Sequence, residues 1–210
     1  MRPALVRRVL KPLVFVSCLG PLALLVYRAL YGDLGANPVE TITNTTGIWT
    51  LRFLAITIAV TPVRWLTRWN PIITFRRMIG LFAFFYGSIH FMIYFVLDRS
   101  LMFEGLWEDI VKRPYITMGF SAFVLMIPLA LTSTKGWIRR LGGKRWNLLH
   151  KLVYVSAVLG VIHYWWKVKL DVTNPMIYAA IVAVLLGSRV ARWLARRQGS
   201  RATRTAPVRT

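Results

Sequence analysis

The residues Trp146-Asn147-Leu148-Leu149-His150, followed by Ile162-His163-Tyr164-Trp165-Trp166, decide the fold of this chain. They predict one transmembrane helix with a histidine near each end. The chain has only three histidines, and the third, His90, lies late in another apolar run. A histidine in hydrocarbon is costly unless its ring nitrogens find partners, so it indicates a functional site. Three of them among so few polar membrane residues predict metal or haem ligation.

Composition places the chain among membrane proteins. Of its 210 residues 56% are hydrophobic, the mean hydropathy is +0.52, and several uncharged runs approach the roughly 20 residues that span a bilayer. A net charge of +21 would suggest nucleic-acid binding in a soluble protein. Here the basic residues cluster between apolar runs, so the positive-inside rule accounts for them and nucleic-acid binding is not expected. The single cysteine, Cys18, excludes a disulfide within the chain.

The apolar runs predict an all-α integral membrane protein, a bundle of six transmembrane helices. The expected helices cover approximately residues 12–31, 48–66, 78–97, 116–131, 146–166 and 175–193. Arg and Lys collect in alternate connections and at both termini, which predicts cytoplasmic termini. We expect a basic cytoplasmic N-terminus at 1–11, the transmembrane domain at 12–194, and a basic, disordered cytoplasmic tail at 195–210.

The depth of each histidine follows from the helix rise of about 1.5 Å per residue. His163 lies four residues before Lys167, roughly 6 Å from the outer end of its helix. His90 lies eight residues before Asp98, roughly 12 Å from the outer end of its own. A tilt of ~20° and the reach of the side chains reconcile these depths. We therefore expect His90 and His163 to form an axial pair, with His150 alone near the inner face.

The partner of His150 is open at this point. Met78, Cys18 or water are the candidates for a second axial ligand, although Cys18 is also explained as a small packing residue. Thirteen residues at about 100° each leave His150 and His163 about 140° apart around an ideal helix. The two therefore do not share one face unless the helix is distorted.

Haem fits this chain better than other metals. Zinc requires about four ligands, and the membrane runs supply almost no carboxylates. Haem needs only one or two axial ligands and an apolar lining. Gly80 and Gly87 are expected to make room for a flat macrocycle. The expected aromatic lining consists of Phe82, Phe84, Phe85, Tyr86 and Phe91. The alternative is three structural histidines that bond across helices.

The arginines have two interpretations. Arg76 and Arg77 either set topology or bind haem propionates or a flavin phosphate through charge-assisted bonds, since they open the third helix near the level of His150. Arg52 lies towards the outer side and is expected to snorkel or to reach the propionates of an outer haem. The same two interpretations apply to the inner residues Arg139, Arg140 and Arg145.

The chain resembles the MsrQ (YedZ) family of haem-binding membrane subunits, part of the ferric reductase-like transmembrane superfamily. The resemblance covers about residues 10 to 195. It is carried by Gly32-Asp33-Leu34-Gly35-Ala36-Asn37-Pro38-Val39, Arg76-Arg77-Met78-Ile79-Gly80-Leu81, Arg113-Pro114-Tyr115-Ile116-Thr117-Met118-Gly119, Leu131-Thr132-Ser133-Thr134, Trp146-Asn147-Leu148-Leu149-His150 and His163-Tyr164.

This resemblance implies a b-type cytochrome of the bacterial inner membrane, with one or two haem b groups and possible FMN. The family's haem ligands fall on His90, His150 and His163. Its partner is a periplasmic molybdenum-containing methionine-sulfoxide reductase, and its electrons come from the quinone pool or a cytoplasmic flavin reductase. The chain would thus be an electron-transfer subunit with no catalytic residue of its own. It lacks the FAD and NADPH domain of the related NADPH oxidases and has one histidine on helix three where they have two.

Two other functions are open. One is a non-catalytic, haem-containing anchor that holds a periplasmic partner at the membrane. The other is a stand-alone ferric or quinone reductase. Histidines at both membrane depths favour electron flow over a bare anchor.

Overall fold

The computed structural model describes residues 5–98, 106–168 and 170–205. Within these ranges the chain is helical, with short π-helical turns at Val6–Leu10 and Tyr94–Asp98 and a 3-10 turn at Asn70–Ile72. The α-helices of the described residues are α1 (Lys11–Leu30), α2 (Pro38–Thr67), α3 (Ile73–Ile93), α4 (Leu106–Lys112), α5 (Pro114–Leu131), α6 (Lys135–Leu149), α7 (Leu152–Lys167) and α8 (Thr173–Thr205).

In the described part of the chain, six helical segments are long and apolar enough to cross a membrane, which confirms the predicted fold class. They cover Arg8–Leu30, Pro38–Thr67, Asn70–Leu97, Pro114–Leu131, Lys135–Lys167 and Thr173–Gln198. The core of the bundle forms where α2 packs along α3 and where α5 packs along α7.

The second transmembrane helix is longer than the sequence predicted. It begins at Pro38 instead of near Ile48, so most of the expected outer loop is helical. The Asn37 side chain accepts a hydrogen bond from the Glu40 amide (3.2 Å) and donates one to the Glu40 carboxylate (3.1 Å). Proline at the first helical position needs no hydrogen-bond partner for its nitrogen. The Asn37 cap and Pro38 thus start α2 about ten residues earlier than the sequence predicted.

The connection between the fourth and fifth spans also differs from the prediction. The expected inner loop is the helix α6, capped by the Thr134 side chain, which accepts from the Trp137 amide (3.3 Å). Gly142, at φ 70°, breaks the regular geometry within it. The expected single helix from Trp146 is then interrupted at His150 and Lys151. There the bond from the Lys151 amide to the Leu148 carbonyl (3.1 Å) has the i−3 spacing of a tighter turn.

Side chains from other helices bond to the backbone beside two prolines of the membrane helices. Pro62 cannot donate to the Ile58 carbonyl, and the Arg189 guanidinium donates to that oxygen instead (2.6 Å). In α1, beside Pro21, the Tyr86 hydroxyl accepts from the Leu22 amide (3.0 Å) and donates to a backbone carbonyl one turn earlier. These bonds tie α8 to α2 and α3 to α1.

The last helix extends past the expected boundary at residue 194. It continues to Thr205, because the intervening residues are mostly Ala, Arg and Gln, which favour helix, and the next proline is at 207. Arg189 lies within this helix and points into the bundle, where it bonds to the Ile58 carbonyl. Residues 206–210 of the expected disordered tail lie outside the described residues, and the division into 1–11, 12–194 and 195–210 stays a prediction.

Charge divides the bundle into two ends. We call "acidic end" the one that carries Asp33, Glu40, Glu108, Asp109 and Asp171. We call "basic end" the opposite one, which carries Arg64, Arg68, Arg76, Arg77, Arg139, Arg140, Lys144 and Arg145. This segregation is the pattern that the positive-inside rule describes.

Candidate functional site

The structure brings two of the predicted site residues together near the acidic end. His90 from α3 and His163 from α7 have ring centroids 6.1 Å apart, with the ring planes at 79°. The helices thus pack so that the two rings meet, although the sequence placed the two residues at different depths. His150 lies apart from this pair, close to the basic end.

The His90 ring is held by α2. Its Nδ1 lies 3.0 Å from the Thr43 carbonyl and 3.5 Å from the Thr46 hydroxyl. A carbonyl oxygen only accepts, so Nδ1 carries the proton and Nε2 keeps its lone pair. Gly47 forms the surface behind the ring, because a Cβ at this position would lie 3.0 Å from His90 Cε1. Helix α2 therefore fixes both the tautomer and the position of this imidazole.

The His163 ring is held in the same way by α5. Its Nδ1 donates to the Tyr115 carbonyl over 2.6 Å, so again Nε2 is the nitrogen with the lone pair. The ring lies directly on Gly119, where a Cβ would be only 2.6 Å from His163 Nδ1. No side chain larger than glycine fits at residue 119 while the imidazole keeps this place.

These two imidazoles fit the axial ligand set of a haem. Within the described residues neither Nε2 has a hydrogen bond, and a backbone carbonyl behind each ring is the usual support of a metal-binding histidine. With metal–nitrogen bonds of about 2.0 Å, two rings that share one metal have centroids about 6 Å apart. No group of three or more His, Cys, Asp or Glu side chains in the described part of the chain could hold an ion such as zinc. The donor set suits a group that brings its own equatorial ligands.

The other candidate, His150, lines a cavity of about 800 Å³ that opens towards the basic end. Its Nδ1 donates to the Trp146 carbonyl (3.0 Å), and the indole of Trp146 stacks on the imidazole with centroids 3.7 Å apart. Its Nε2 lies 3.5 Å from the Ser133 hydroxyl, just past the end of α5. Both His150 and His163 therefore contact the α5 segment. The tighter turn at residues 150–151 adds about 20° per residue, which reduces the angular separation expected for an ideal helix.

The walls of this cavity are strongly basic. The predicted residues Arg76 and Arg77 both line it, and an Arg76 Nη atom lies 3.4 Å from the Thr61 hydroxyl. The other cationic side chains among the described lining residues are Lys11, Lys135, Lys151 and Arg189. No carboxylate belongs to this described lining, so the cavity favours an anionic ligand.

Several residues expected at the sites have other surroundings. The described cavity lining contains neither Met78 nor Cys18, and the methionine on its wall is Met126. Cys18 is buried in the core, as the packing interpretation expects. Arg52 bonds to the Tyr178 hydroxyl (2.9 Å) and lies over the Trp49 ring instead of approaching the histidine pair.

Of the glycines and aromatic residues expected around a macrocycle, some line the basic cavity and others pack between helices. Gly80 lines the basic cavity, whereas a Cβ at Gly87 would meet Met126 at 3.0 Å, so Gly87 serves helix packing. Phe84 lines the cavity, whereas the Tyr86 hydroxyl bonds to the backbone of α1. Of the other expected lining residues, Phe82 packs against Phe85, and Phe85 packs against Tyr86.

Sequence reasoning missed the residues that hold the imidazoles. Thr43, Thr46 and Gly47 were assigned to a loop, and Gly119 was given no role. The capping signature at Asn37 and Glu40 is the signal that would have extended α2 over the first three.

The chain is similar to a protein family and to several known proteins. Residues 46–161 match the family model described as ferric reductase-like transmembrane component. A protein of Herminiimonas arsenicoxydans is 50% identical over 204 residues, 96% of this chain and 94% of its own length. A protein of Ralstonia nicotianae is 50% identical over 100% of this chain and 98% of its own length. A protein of Rhodospirillum rubrum is 50% identical over 90% of this chain and 91% of its own length. All three are named protein-methionine-sulfoxide reductase heme-binding subunit MsrQ.

Proposed function

Because the chain belongs to the MsrQ family of ferric reductase-like transmembrane proteins, we propose that it is the haem-binding subunit of a methionine-sulfoxide reductase system. In this proposal it is a b-type cytochrome that carries electrons across the bacterial inner membrane, with both termini in the cytoplasm. The electrons reach a periplasmic, molybdopterin-containing subunit that reduces oxidised methionines. The chain itself is the electron-transfer subunit and not the catalytic one.

The observation that carries the proposal is the opposed pair His90 and His163. Their centroid distance of 6.1 Å and their two carbonyl-bound Nδ1 atoms support a haem held between the Nε2 atoms. A bound haem supplies reversible one-electron exchange at its iron. The protein contributes the rest: the Thr43 and Tyr115 carbonyls fix the tautomer and the orientation of both imidazoles, and they increase the basicity of each ligand nitrogen.

The surroundings of the pair are apolar on the side that faces the membrane centre. Leu51, which is 4% exposed, packs against Gly160 one turn inward of His163. Val161 is similarly buried. This packing excludes water from the inner side of the site, which limits electron loss to other acceptors and leaves the acidic end as the place of exit.

The basic end is the proposed place of entry. His150 and the cationic walls of the 800 Å³ cavity support a second haem b or an FMN, with Arg76 and Arg77 bonding to its propionates or phosphate. The donor is either a cytoplasmic flavin reductase or the quinone pool. A non-catalytic anchor would need no such second site, which is the reason that electron transfer is the function we propose.

The test is ligand replacement followed by spectroscopy of the purified protein. We expect His90→Ala and His163→Ala each to remove most of the haem bound at the acidic end, because each removes one axial ligand of the same iron. The measurements are haem content and the reduced-minus-oxidised spectrum. His150→Ala is the matched control and should keep this haem. A normal low-spin spectrum in either of the first two variants would contradict the proposed pair.

A further inference from the structure

Arg52 lies where a membrane helix rarely carries a charge. Because α2 begins at Pro38, Arg52 is twelve residues from Glu40 at the acidic end and twelve from Arg64 at the basic end. Helix rise places it about 18 Å from each along α2. Its side chain is exposed on the outside of the bundle, which in a membrane protein faces lipid. A cation in hydrocarbon is costly, so its position indicates a functional site.

Three aromatic side chains adjoin Arg52 and form with it what we call the Arg52 cluster: Arg52 and Trp49 of α2, Tyr164 of α7 and Tyr178 of α8. The Arg52 Nε donates to the Tyr178 hydroxyl (2.9 Å), and its Cζ lies 4.7 Å from the centre of the Trp49 ring. The rings of Tyr178 and Tyr164 meet edge to face, with centroids 6.1 Å apart. All three aromatic rings pack against the core, so the bundle holds the cluster in place while Arg52 stays accessible from lipid.

The Arg52 cluster offers hydrogen-bond donors that lack acceptors. Among the described residues, neither Nη atom of Arg52 forms a hydrogen bond, and no carboxylate pairs with the guanidinium. Within the same part of the chain, the hydroxyl protons of Tyr164 and Tyr178 and the indole N–H of Trp49 have no acceptor either. The cluster therefore suits a ligand that supplies acceptor oxygens and arrives through the lipid.

We infer that the Arg52 cluster binds the head group of a membrane quinone; this rests on the proposed function, in which the quinone pool is one of two donors. A quinone dissolves in lipid, and its two ring carbonyls accept hydrogen bonds without carrying a charge. A lipid phosphate is less suited, since Arg52 is the one cation among the four residues and lies well inside the span. Tyr164 directly follows His163, so the head group lies beside the helix that carries a ligand of the acidic-end haem.

The donors of the Arg52 cluster favour the oxidised form of this ligand. A quinone carbonyl only accepts, whereas each quinol oxygen carries a proton that needs an acceptor of its own. Tighter binding of quinone than of quinol lowers the reduction potential of the bound couple, so the bound quinol is the stronger reductant.

The reaction at the Arg52 cluster is the oxidation of one quinol to one quinone. Its two electrons pass singly to the haem that His90 and His163 hold. Its two protons pass to water at the acidic end, about 8 Å from Tyr178 along α8. This entry is separate from the basic cavity, which is left for a soluble donor.

The experiment measures how decylubiquinone, a short-chain quinone, partitions between empty detergent micelles and micelles that contain the purified, haem-loaded protein. Arg52→Met removes every donor of that side chain and should weaken binding about tenfold or more, since hydrogen bonds from a charged group are lost. Tyr178→Phe removes one hydroxyl and should weaken it about threefold. Arg52→Lys should retain part of the affinity. The control, Tyr27→Phe, alters an exposed tyrosine of α1 and should bind as wild type does.

A redox titration of the same samples distinguishes quinone binding from contact with the haem. The haem midpoint potential of Arg52→Met should equal that of wild type, because Arg52 is turned to Tyr178. A shifted potential with unchanged quinone affinity would assign Arg52 to the haem and overturn the inference. Unchanged affinity in both Arg52→Met and Tyr178→Phe would also overturn it. Retention of the haem in His90→Ala and His163→Ala would instead overturn the proposed function, and it would leave the quinone affinities as measured.

Discussion

The two histidine sites of this protein are built in opposite ways. The pair at the acidic end is closed: each imidazole lies on a glycine and donates to a backbone carbonyl, and the helices around it are tightly packed. The site at the basic end is open: one histidine, stacked on Trp146, lines a large cavity with six cationic side chains. The closed site is suited to hold one ligand in one orientation. The open site is suited to admit an anion or a donor from the adjoining aqueous phase.

The largest effect that separates the two sites is expected for glycine replacement. Gly119→Ala places a Cβ 2.6 Å from His163 Nδ1, so the imidazole must move. Overpacking of this kind typically costs about 1–3 kcal/mol, which corresponds to roughly 5- to 150-fold weaker haem retention. Gly80→Ala at the basic cavity makes only ordinary contact with Thr57, at 3.5 Å, and should be tolerated. Haem content after gel filtration measures the effect of each variant. Equal losses of haem in the two variants would show that the two sites do not differ in how tightly they are packed.

The next effect concerns the route between the sites. His150→Ala should keep the acidic-end haem and slow its reduction from the basic end, since about 20 Å of helix rise separates residues 150 and 163. Stopped-flow reduction by the same cytoplasmic donor, followed by haem absorbance, measures this rate. Dithionite should still reduce the haem in the variant. Equal rates in wild type and variant would assign His150 a structural role and the route to other residues.

A smaller effect is expected from salt. The basic end carries no compensating carboxylate in the described cavity lining, so it should attract an acidic donor protein. The reduction rate by a soluble flavin reductase should then fall roughly tenfold or more as ionic strength rises from 10 mM to 1 M. As a control, Lys112→Met at the acidic end, where Lys112 pairs with Glu108, should show the same salt dependence as wild type. A rate independent of salt, with reduction by quinol alone, would move the entry point into the membrane.

The smallest effect is expected at Ser156, which lies on α7 between the two sites. Its hydroxyl is fully buried and, among the described residues, has no hydrogen-bond partner. Ser156→Ala removes that unsatisfied group, so the variant should be neutral or more stable by about 1 kcal/mol. Thermal unfolding in detergent measures this change. A loss of stability or of haem would show that the hydroxyl has a partner outside the polypeptide.

The histidine pair itself was accessible from the sequence, because helix rise counted from the charged helix ends gives the depth of a residue. The groups that hold the pair could not be predicted from the sequence, because residues 41–47 are rich in threonine and resemble a loop. In the structure these threonines donate to carbonyls of their own helix, as Thr43 does to Val39 (2.7 Å) and Thr46 to Ile42 (2.9 Å). Their hydroxyls are thereby satisfied, and a polar stretch becomes compatible with a membrane helix.

The basic end was predicted less well for a different reason. Periodicity assumes a regular helix, whereas the chain is broken at Gly142 and turns more tightly at His150. An angular argument based on 100° per residue cannot anticipate such a break. Arg76 and Arg77 line the same cavity as His150, although α3 begins at Ile73 and not near the expected residue 78.

The bond from Arg189 to the Ile58 carbonyl bears on how the protein is assembled during synthesis. Membrane helices are made in chain order, so α2 is present long before α8. Until α8 arrives, the carbonyl left open by Pro62 has no guanidinium to satisfy it, and an unsatisfied carbonyl in lipid is costly. Helix α8 therefore completes the packing around α2, and the bundle reaches its final packing only after residue 189 has been inserted. A ribosome-stalled chain that ends before residue 189 would expose an intermediate that quality-control proteases can recognise.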